Sequence, residues 1–294
     1  MTASPDFDLQ ATIARLFVYP IKSCAGVELP EALLTETGLE FDRAWMVVDA
    51  EGEFVTQREL PRMALIRPQM KHSEMLLRAP GMLALHIAFD RVEQPVRVRV
   101  WKDEVAAYDM GDIAAQWFSD FLSQPGRLQK LRLVRFDPEY KRLSNLKWTG
   151  GIEAQNQFAD GYPLLVASEG SLAGLNARLA AQGHAAVGIE RFRPNIVLAG
   201  LEAHDEDRVE LLHVRTEEGE ARLQPVKPCV RCPIPDIDPG TAECSPEVGD
   251  MLRTYRVDPR VDGAITFGMN AIVLQGIEYM LRRGQPVGAN LRFA

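Results

Sequence analysis

The chain has 294 residues, of which 46% are apolar and 25% charged, and its formal net charge at pH 7 is −8. This length and apolar content allow a large core and exclude a disordered protein. The acidic balance argues against a nucleic-acid-binding surface, and no apolar run is long enough to span a membrane. The 4 cysteines and the absence of a signal peptide at the N-terminus indicate a cytoplasmic protein without a disulfide framework.

The first 110 residues are predicted to be mainly β. Runs of apolar and β-branched residues bounded by turn residues predict strands and hairpins. The turns Glu51-Gly52 and Pro80-Gly81 fit because glycine adopts positive φ without steric cost. The predicted strand segments are 14–23, 44–57, 63–70, 75–89 and 95–110.

A helix is predicted over 111–126. Asp112 is the candidate N-cap, and Pro125-Gly126 is expected to end the helix. Five apolar residues recur at helical spacing and predict its buried face. They are Ile113, Trp117, Phe118, Phe121 and Leu122.

Two more helices are predicted, over 168–183 and 245–256. Ser168 is the expected N-cap of the first, with a leucine stripe behind it. In the second, Ser245 is expected to cap and Pro246 to take the first helical position, while Gly249 weakens the pattern.

Further strands complete a barrel-like α+β prediction. Strands and helices do not alternate regularly, which disfavours a doubly wound parallel sheet. The polar stretch 139–161 is predicted to be a functional or mobile loop. The strand segments are 130–137, 162–168, 194–200, 209–214, 221–228, 265–275 and 287–293.

The segment PVKPCVRCPIPDIDPGT (225–241) carries a C-x-x-C pair, Cys229 and Cys232. A structural zinc site would need two more ligands nearby, and only Cys244 is close in sequence. A redox dithiol needs a helix N-terminus, but Pro233 and Pro235 argue that no helix begins there. A rigid loop with one working thiolate, stabilised by the adjacent Arg231, and a pair of buried inert cysteines both remain possible interpretations.

Three other runs carry polar residues beside strands. VYPIKSCAG presents Lys22 and Ser23, FDRAW presents Arg43, and FRPNIV presents Arg193 and Asn195. A hydroxyl and cations at strand ends suit an anionic group such as a phosphate, although solvated charges are the commoner explanation. The asparagine could donate to and accept from the edge of a heterocycle.

Taken together with DGYPLLVASEGSLAGLN and CVRCPIPDIDPGT, these runs occur in the order found in MOSC-domain proteins with a MOSC N-terminal β-barrel-like domain. The chain resembles this family, including the mitochondrial amidoxime reducing component and its bacterial relatives, from about residue 13 to about residue 290. The resemblance implies an α+β, β-rich fold: a MOSC-type β-barrel core with peripheral helices, joined to a smaller N-terminal β-rich domain. The expected domains are 10–125 and 126–294.

The implied cofactor is the molybdenum cofactor, Mo-molybdopterin; pyridoxal phosphate is not expected. Carried over from the family, Cys232 is the metal ligand, and Asp238 lies near the substrate with a suggested role in proton transfer. Near Gly161 and Tyr162 the relatives place hydroxyl residues, and Val230 replaces a small polar residue. The implied cofactor-binding residues are Lys22, Ser23, Arg43, Asp160, Gly161, Tyr162, Arg193, Asn195, Val230 and Arg231.

The implied function is molybdenum-dependent reduction of N-hydroxylated compounds: amidoximes, hydroxylamines or N-hydroxylated nucleobases. The alternatives are a sulfur-carrier or cofactor-delivery protein that uses a Cys232 persulfide, and a pterin-binding protein without catalysis. Neither a membrane anchor before Leu16 nor a fused ferredoxin-like domain is expected. Electrons are therefore expected from a separate flavoprotein or iron–sulfur protein, with neither nucleic acid nor membrane as a partner.

Overall fold

The computed structural model describes residues 7–91, 94–124 and 126–292. Within these ranges the chain is β-rich, and its strands are β1 (Leu9–Val18), β2 (Val27–Leu29), β3 (Glu31–Thr35), β4 (Gly38–Leu39), β5 (Trp45–Val48), β6 (Arg67–Met70), β7 (Glu74–Arg78), β8 (Leu85–Ala88), β9 (Gln94–Val100), β10 (Asp103–Asp109), β11 (Arg132–Phe136), β12 (Leu164–Ser168), β13 (Ile196–Ala199), β14 (Val209–Arg215), β15 (Glu220–Val230), β16 (Val257–Asp258), β17 (Ala264–Gln275), β18 (Met280–Arg282) and β19 (Pro286–Leu291).

The α-helices are α1 (Asp112–Leu122), α2 (Glu169–Ala181) and α3 (Glu247–Tyr255). Short 3-10 helices connect the other elements, at Pro61–Leu65, Ile189–Phe192, Asp205–Arg208, Ile234–Asp236 and Pro259–Val261. Each of the described helices is too short or too polar to cross a membrane.

A closed barrel forms the core. Its strands follow the order β12, β13, β1, β19, β14, β15 and β17, and pairing of β17 with β12 closes the ring. All of these pairs are antiparallel except β12 with β13. Inward side chains such as Ile13, Leu198 and Leu223 fill the interior. The predicted α+β barrel architecture is confirmed, and the doubly wound alternative is absent from the described residues.

The smaller sheets lie mainly in the first half of the chain. One sheet has the order β5, β11, β10, β9, and another has the order β6, β7, β8, with α1 packed against them. Strand β1 belongs to the barrel although all of it except Leu9 lies within 10–125, whereas β11 joins the four-stranded sheet although it lies within 126–294. Strand β2 pairs with β1, and β18 pairs with β3, so strands of the two sequence units mix in more than one sheet. The division at residue 125 stays a prediction.

The helix predictions were right in position but wrong in some details. Ser168 caps α2 by accepting from the Ser171 amide at 3.0 Å. Helix α1 has Gly111, not Asp112, at its N-cap, and Ile113 is 73% exposed because the core covers only the opposite face of the helix. The predicted stop at Pro125 lies outside the described residues.

Helix α3 begins one residue later than predicted. Pro246 is its N-cap, without a side-chain hydrogen bond, and Ser245 does not cap it. Instead Asp236, from a neighbouring turn, accepts from the Gly249 amide at 2.7 Å. A Cβ at position 249 would lie 2.7 Å from Asp236 Oδ2, which explains the glycine that weakens the helical pattern.

Candidate functional site

A pocket lies where the barrel meets the four-stranded sheet. Strand ends of both parts contribute to it: the chain after β1, the chain before β5, the starts of β12 and β13, and the end of β15. Of the residues predicted for the site, Asp238 alone is not part of the lining. The predicted residues that line the pocket are Lys22, Ser23, Arg43, Asp160, Gly161, Tyr162, Arg193, Asn195, Val230, Arg231 and Cys232.

The chain crosses from the barrel to the four-stranded sheet immediately beside Lys22 and Ser23. The Lys22 amide donates to Trp45 O at 2.8 Å, and the Cys24 amide donates to Ile21 O at 3.0 Å, so a tight turn follows β1. The Arg43 amide in turn donates to Tyr19 O at 2.9 Å. These bonds bring two motifs that are about 20 residues apart in sequence to the same wall of the pocket.

Four of the lining residues have strained backbone conformations, and three of them are predicted site residues; the fourth is Trp101, with φ 58°. Ser23, Arg43 and Arg193 have φ values of 68°, 50° and 57°, in the left-handed region. This region costs a non-glycine residue about 1–2 kcal/mol. Such outliers persist where the surrounding structure fixes them, and their concentration here indicates a functional site.

Two guanidinium groups enclose the buried ring of Tyr19. The guanidinium carbons of Arg43 and Arg193 lie 4.4 Å and 4.2 Å from the ring centroid, within cation–π range. Arg43 also forms an ion pair with the buried Asp42 at 2.6 Å. The two arginines are thereby held side by side at the pocket wall.

Asn195 positions Arg43 and does not present a free amide. Its Oδ1 accepts from Leu165 N at 3.0 Å and from Arg43 Nη1 at 3.1 Å, and its Nδ2 donates to Phe17 O at 3.2 Å. The side chain is almost fully buried between the starts of β12 and β13. The expectation that it reads the edge of a heterocycle therefore has no support in the geometry.

Arg193 and Arg231 both carry buried donors without a partner. Arg193 Nη1 donates to Cys24 O at 2.7 Å, while its Nη2 bonds to nothing in the described part of the chain. Arg231 Nε is likewise unpartnered. Burial, together with the adjacent charge of Arg43, lowers the pKa of Arg193 to about 10. Unpaired buried cations are costly, and an anionic ligand would satisfy them.

Lys22 is the most deeply placed cation of the pocket. Its Nζ donates to Phe158 O at 2.8 Å and pairs with Asp160 Oδ1 at 2.5 Å. Burial lowers the pKa of Lys22. The Asp160 side chain is 72% exposed, so desolvation of its charge is slight, and the Lys22 ammonium holds the pKa of Asp160 below its usual range.

The loop 139–161, which delivers Asp160, is ordered by a buried arginine. Arg142 donates to Asp103 at 2.9 Å, to Asn156 at 2.7 Å and to Ala159 O at 2.6 Å. These bonds connect the two ends of the loop and attach it to β10. The predicted functional loop is thus a fixed wall, and Gly161 and Tyr162 follow it directly. Burial raises the pKa of Tyr162 to about 12, and its buried hydroxyl has no partner among the described residues.

The cysteine pair lies at the end of β15, where prolines disturb the pairing with β17. Register shifts occur between Pro225 and Lys227 and between Pro228 and Val230, because proline has no amide hydrogen to donate. Cys229 and Cys232 are both free, half-buried thiols that line the pocket. The described residues contain no cluster of three or more His, Cys, Asp or Glu side chains that could hold a metal, so the zinc interpretation is not supported.

Two expectations about this segment need correction. The Arg231 guanidinium contacts Cys229, with Nη1 3.0 Å from Sγ, and not the Cys232 thiol. Residues two apart on an extended chain project to the same side, which places 229 and 231 together. A short 3-10 helix, Ile234–Asp236, also begins directly after Pro233, where no helix was expected. Proline is tolerated there because the first amides of a helix lack intrahelical partners.

Asp238 lies outside the pocket lining, with its carboxylate bound by other groups. It pairs with Arg191 at 2.8 Å and accepts from the amides of Gly240 and Thr241. Desolvation is outweighed by these bonds, so the pKa of Asp238 is lowered. A carboxylate that stays ionised in this way is a poor proton donor.

Sequence reasoning missed several further lining residues, among them Thr56, Arg58, Trp101 and Phe192. The Arg58 guanidinium carbon lies 4.7 Å from the Trp101 ring centroid. The indole N–H of Trp101 donates to Asp160 at 3.1 Å. The sequence does carry a signal for Trp101. The run WKD separates two strand patterns at a hairpin turn, a position where glycine or asparagine is usual.

Comparison with known proteins gives two matches to domain families. Residues 10–125 match the MOSC N-terminal beta barrel domain, and residues 153–288 match the MOSC domain. The chain is 34% identical over 262 residues to mitochondrial amidoxime reducing component 2 of Rattus norvegicus, covering 85% of this chain and 74% of that protein.

Two other relatives are informative. Mitochondrial amidoxime-reducing component 1 of Mus musculus is 35% identical over 258 residues, which cover 84% of this chain and 72% of that protein. Molybdenum cofactor sulfurase of Bos taurus is 29% identical over 266 residues, which cover 86% of this chain but 30% of that protein.

Proposed function

The chain belongs to the family of MOSC-domain proteins with a MOSC N-terminal beta barrel domain, among them mitochondrial amidoxime reducing components, and we propose that it is a molybdenum-cofactor-dependent reductase of N-hydroxylated compounds. The proposed substrates are amidoximes, hydroxylamines and N-hydroxylated nucleobases. The observation that carries the proposal is a single pocket that combines cations in excess with free thiols. Its charged lining comprises Lys22, Arg43, Arg58, Arg193, Arg231 and Asp160.

The donor set fits a ligand that has an anionic tail and a soft metal. In a chain of net charge −8, five cations face this pocket and one carboxylate opposes them. The unpartnered Arg193 Nη2 and Arg231 Nε call for acceptor atoms. Thiolate sulfur is a suitable ligand for a soft metal centre, and Cys232 is a free thiol in the same lining.

Several residues of the pocket lining have a proposed part in holding the cofactor. Lys22, Ser23, Arg43 and Arg193 would bind its phosphate, and Cys232 would bind the metal. Asn195 orients Arg43, and the protonated hydroxyl of Tyr162 would donate a hydrogen bond to the ligand. When bound, the cofactor would supply two-electron redox chemistry for cleavage of the N–O bond.

The chain's own contribution is orientation and polarity. The strained turns at Ser23, Arg43 and Arg193 fix the hydrogen-bond donors before the ligand arrives. Little conformational entropy is therefore lost when the ligand binds. The Arg231 guanidinium on Cys229 leaves Cys232 as the less engaged of the two thiols. Electrons are proposed to come from a separate flavoprotein or iron–sulfur protein.

The test uses protein purified from a host that makes the cofactor. With an artificial electron donor and an amidoxime, the product amidine should accumulate and depend on bound molybdenum. Cys232→Ala should abolish turnover, while Cys229→Ala, which removes the neighbouring thiol, should retain most of it. Stoichiometric molybdenum without N-reduction on several substrates would refute the proposal.

A second candidate is a sulfur-carrier or cofactor-delivery protein that acts through a persulfide on Cys232. The similarity to a molybdenum cofactor sulfurase favours considering it. Mass spectrometry of the purified protein separates the candidates. A persulfide on Cys232 in protein without metal supports the carrier, whereas bound molybdenum with amidoxime turnover supports the reductase.

A further inference from the structure

Trp101 occupies a turn position that does not favour a bulky residue. It is the first of the two residues, with Lys102, that join β9 to β10, and its φ is 58°. Two-residue hairpin turns place glycine or asparagine where φ is positive. A tryptophan there is strained, and it is also 46% exposed. A strained, partly exposed aromatic ring that lines a pocket indicates a role in binding.

The ring of Trp101 is held in a fixed orientation. The Arg58 guanidinium carbon lies 4.7 Å from its centroid, and the Phe54 ring centroid lies 5.0 Å away at an interplanar angle of 58°. The indole N–H donates to Asp160. Arg58 itself donates to Thr56 Oγ1 at 3.0 Å. The indole and guanidinium planes together form a braced surface on the pocket lining, here called the Trp101–Arg58 platform.

We propose that the Trp101–Arg58 platform gives the protein a preference for aromatic N-hydroxylated substrates over aliphatic ones that carry the same N-hydroxylated group. This proposal rests on the proposed reductase function and names the substrate class of the same pocket. Indole faces and guanidinium planes stack on flat π systems, and such pairs stabilise binding beyond the area they bury. An aliphatic amidoxime offers only the small planar amidoxime group and no aromatic ring, so it gains much less from the platform.

The test compares benzamidoxime, an aromatic amidoxime, with acetamidoxime, an aliphatic one. In Trp101→Gly, the ratio of kcat/KM for benzamidoxime to that for acetamidoxime is expected to fall about tenfold, mainly through KM. Trp101→Phe keeps an aromatic ring and should restore most of the ratio. The unfolding temperature of Trp101→Gly should not fall, since relief of the strained φ offsets the loss of the contacts that the half-exposed ring makes.

A matched control exists at Glu278. This exposed residue also has a positive φ, 69°, but lies outside the pocket lining, so Glu278→Gly should keep the wild-type ratio. An unchanged ratio in Trp101→Gly would overturn the proposal. Loss of molybdenum from Trp101→Gly would also overturn it, because the ring would then belong to the cofactor site. A fall of several degrees in the unfolding temperature of this variant would overturn it as well.

The proposed function and the platform can fail separately. If the wild-type protein holds molybdenum but reduces neither substrate, the proposed function fails. Calorimetric titration with the corresponding amidines, benzamidine and acetamidine, then decides the platform. Tighter binding of benzamidine that is lost in Trp101→Gly supports it, and equal affinities in both proteins overturn it.

Discussion

Replacing Arg193 by methionine is expected to weaken anion binding by the pocket while keeping the fold. The change removes a guanidinium whose Nη2 has no partner in the described chain and whose pKa is lowered by burial and by Arg43. It also removes the bond to Cys24 O at 2.7 Å. Loss of that hydrogen bond lowers the stability of the fold, and loss of an unpaired buried charge raises it again. The main effect of the substitution should therefore be on ligand binding.

The magnitude follows from the donors that are lost. A hydrogen bond to a charged group contributes about 1.5–3 kcal/mol, so the variant should bind an anion about 10- to 100-fold more weakly. For a wild-type Kd of about 1 mM, about 20 mM phosphate stabilises the folded state by about 1.8 kcal/mol. If the site binds phosphate tenfold more weakly, the same phosphate concentration stabilises the folded state by about 0.6 kcal/mol. For a chain of this size these values correspond to shifts of about 3 °C and about 1 °C in the unfolding temperature.

The assay is thermal unfolding of protein without cofactor, with inorganic phosphate compared with sodium chloride at equal ionic strength. The matched control is Arg191→Met. Arg191 is also half-buried and close in sequence, but its guanidinium is already paired with Asp238 and Pro235 O, and it does not line the pocket. That variant should lose stability yet keep the full phosphate shift. Equal phosphate shifts in wild type and Arg193→Met would refute the assignment of Arg193 as an anion-binding residue.

Three further outcomes are expected. Asp238→Asn should retain amidoxime turnover within about threefold in a steady-state assay, because Asp238 lies outside the pocket lining; a complete loss with intact fold would restore its proposed role in proton transfer. Burial raises the pKa of the Glu206 carboxyl above 4.5 in the folded protein. The free energy of unfolding of the wild type should therefore fall as the pH rises from 4.5 through the folded pKa. Denaturant unfolding of Glu206→Gln should not show this fall. Gly249→Ala should destabilise the fold by about 1–3 kcal/mol in the same assay, because its Cβ meets Asp236; no loss would contradict the close contact.

Local features of the fold were predictable from the sequence, whereas long-range ones were not. The cap at Ser168 and the leucine stripe behind it depend on neighbours within one helical turn. The closing pair β12 with β17 joins segments about 100 residues apart, and no spacing in the sequence specifies it. The exposure of Ile113 has the same cause, because a helical pattern does not reveal how much of its apolar stripe the rest of the fold covers.

The site residues were largely predictable, but their partners were not. The motifs at Lys22, Arg43 and Arg193 do line one pocket. The sequence does not show that Arg231 contacts Cys229 rather than Cys232, because this depends on how far the extended conformation of β15 continues. It also does not show the three-dimensional position of a hairpin tip, and for that reason Trp101 was missed.

The central claim is that this pocket holds a molybdenum cofactor through Cys232. Its most direct test is molybdenum and pterin analysis of the wild-type, Cys232→Ala and Cys229→Ala proteins, purified in parallel from a host that makes the cofactor. We expect stoichiometric molybdenum and pterin in the wild type and in Cys229→Ala, and loss of molybdenum in Cys232→Ala with its fold intact. A wild-type protein without molybdenum and pterin, or equal loss in the two cysteine variants, would contradict the claim.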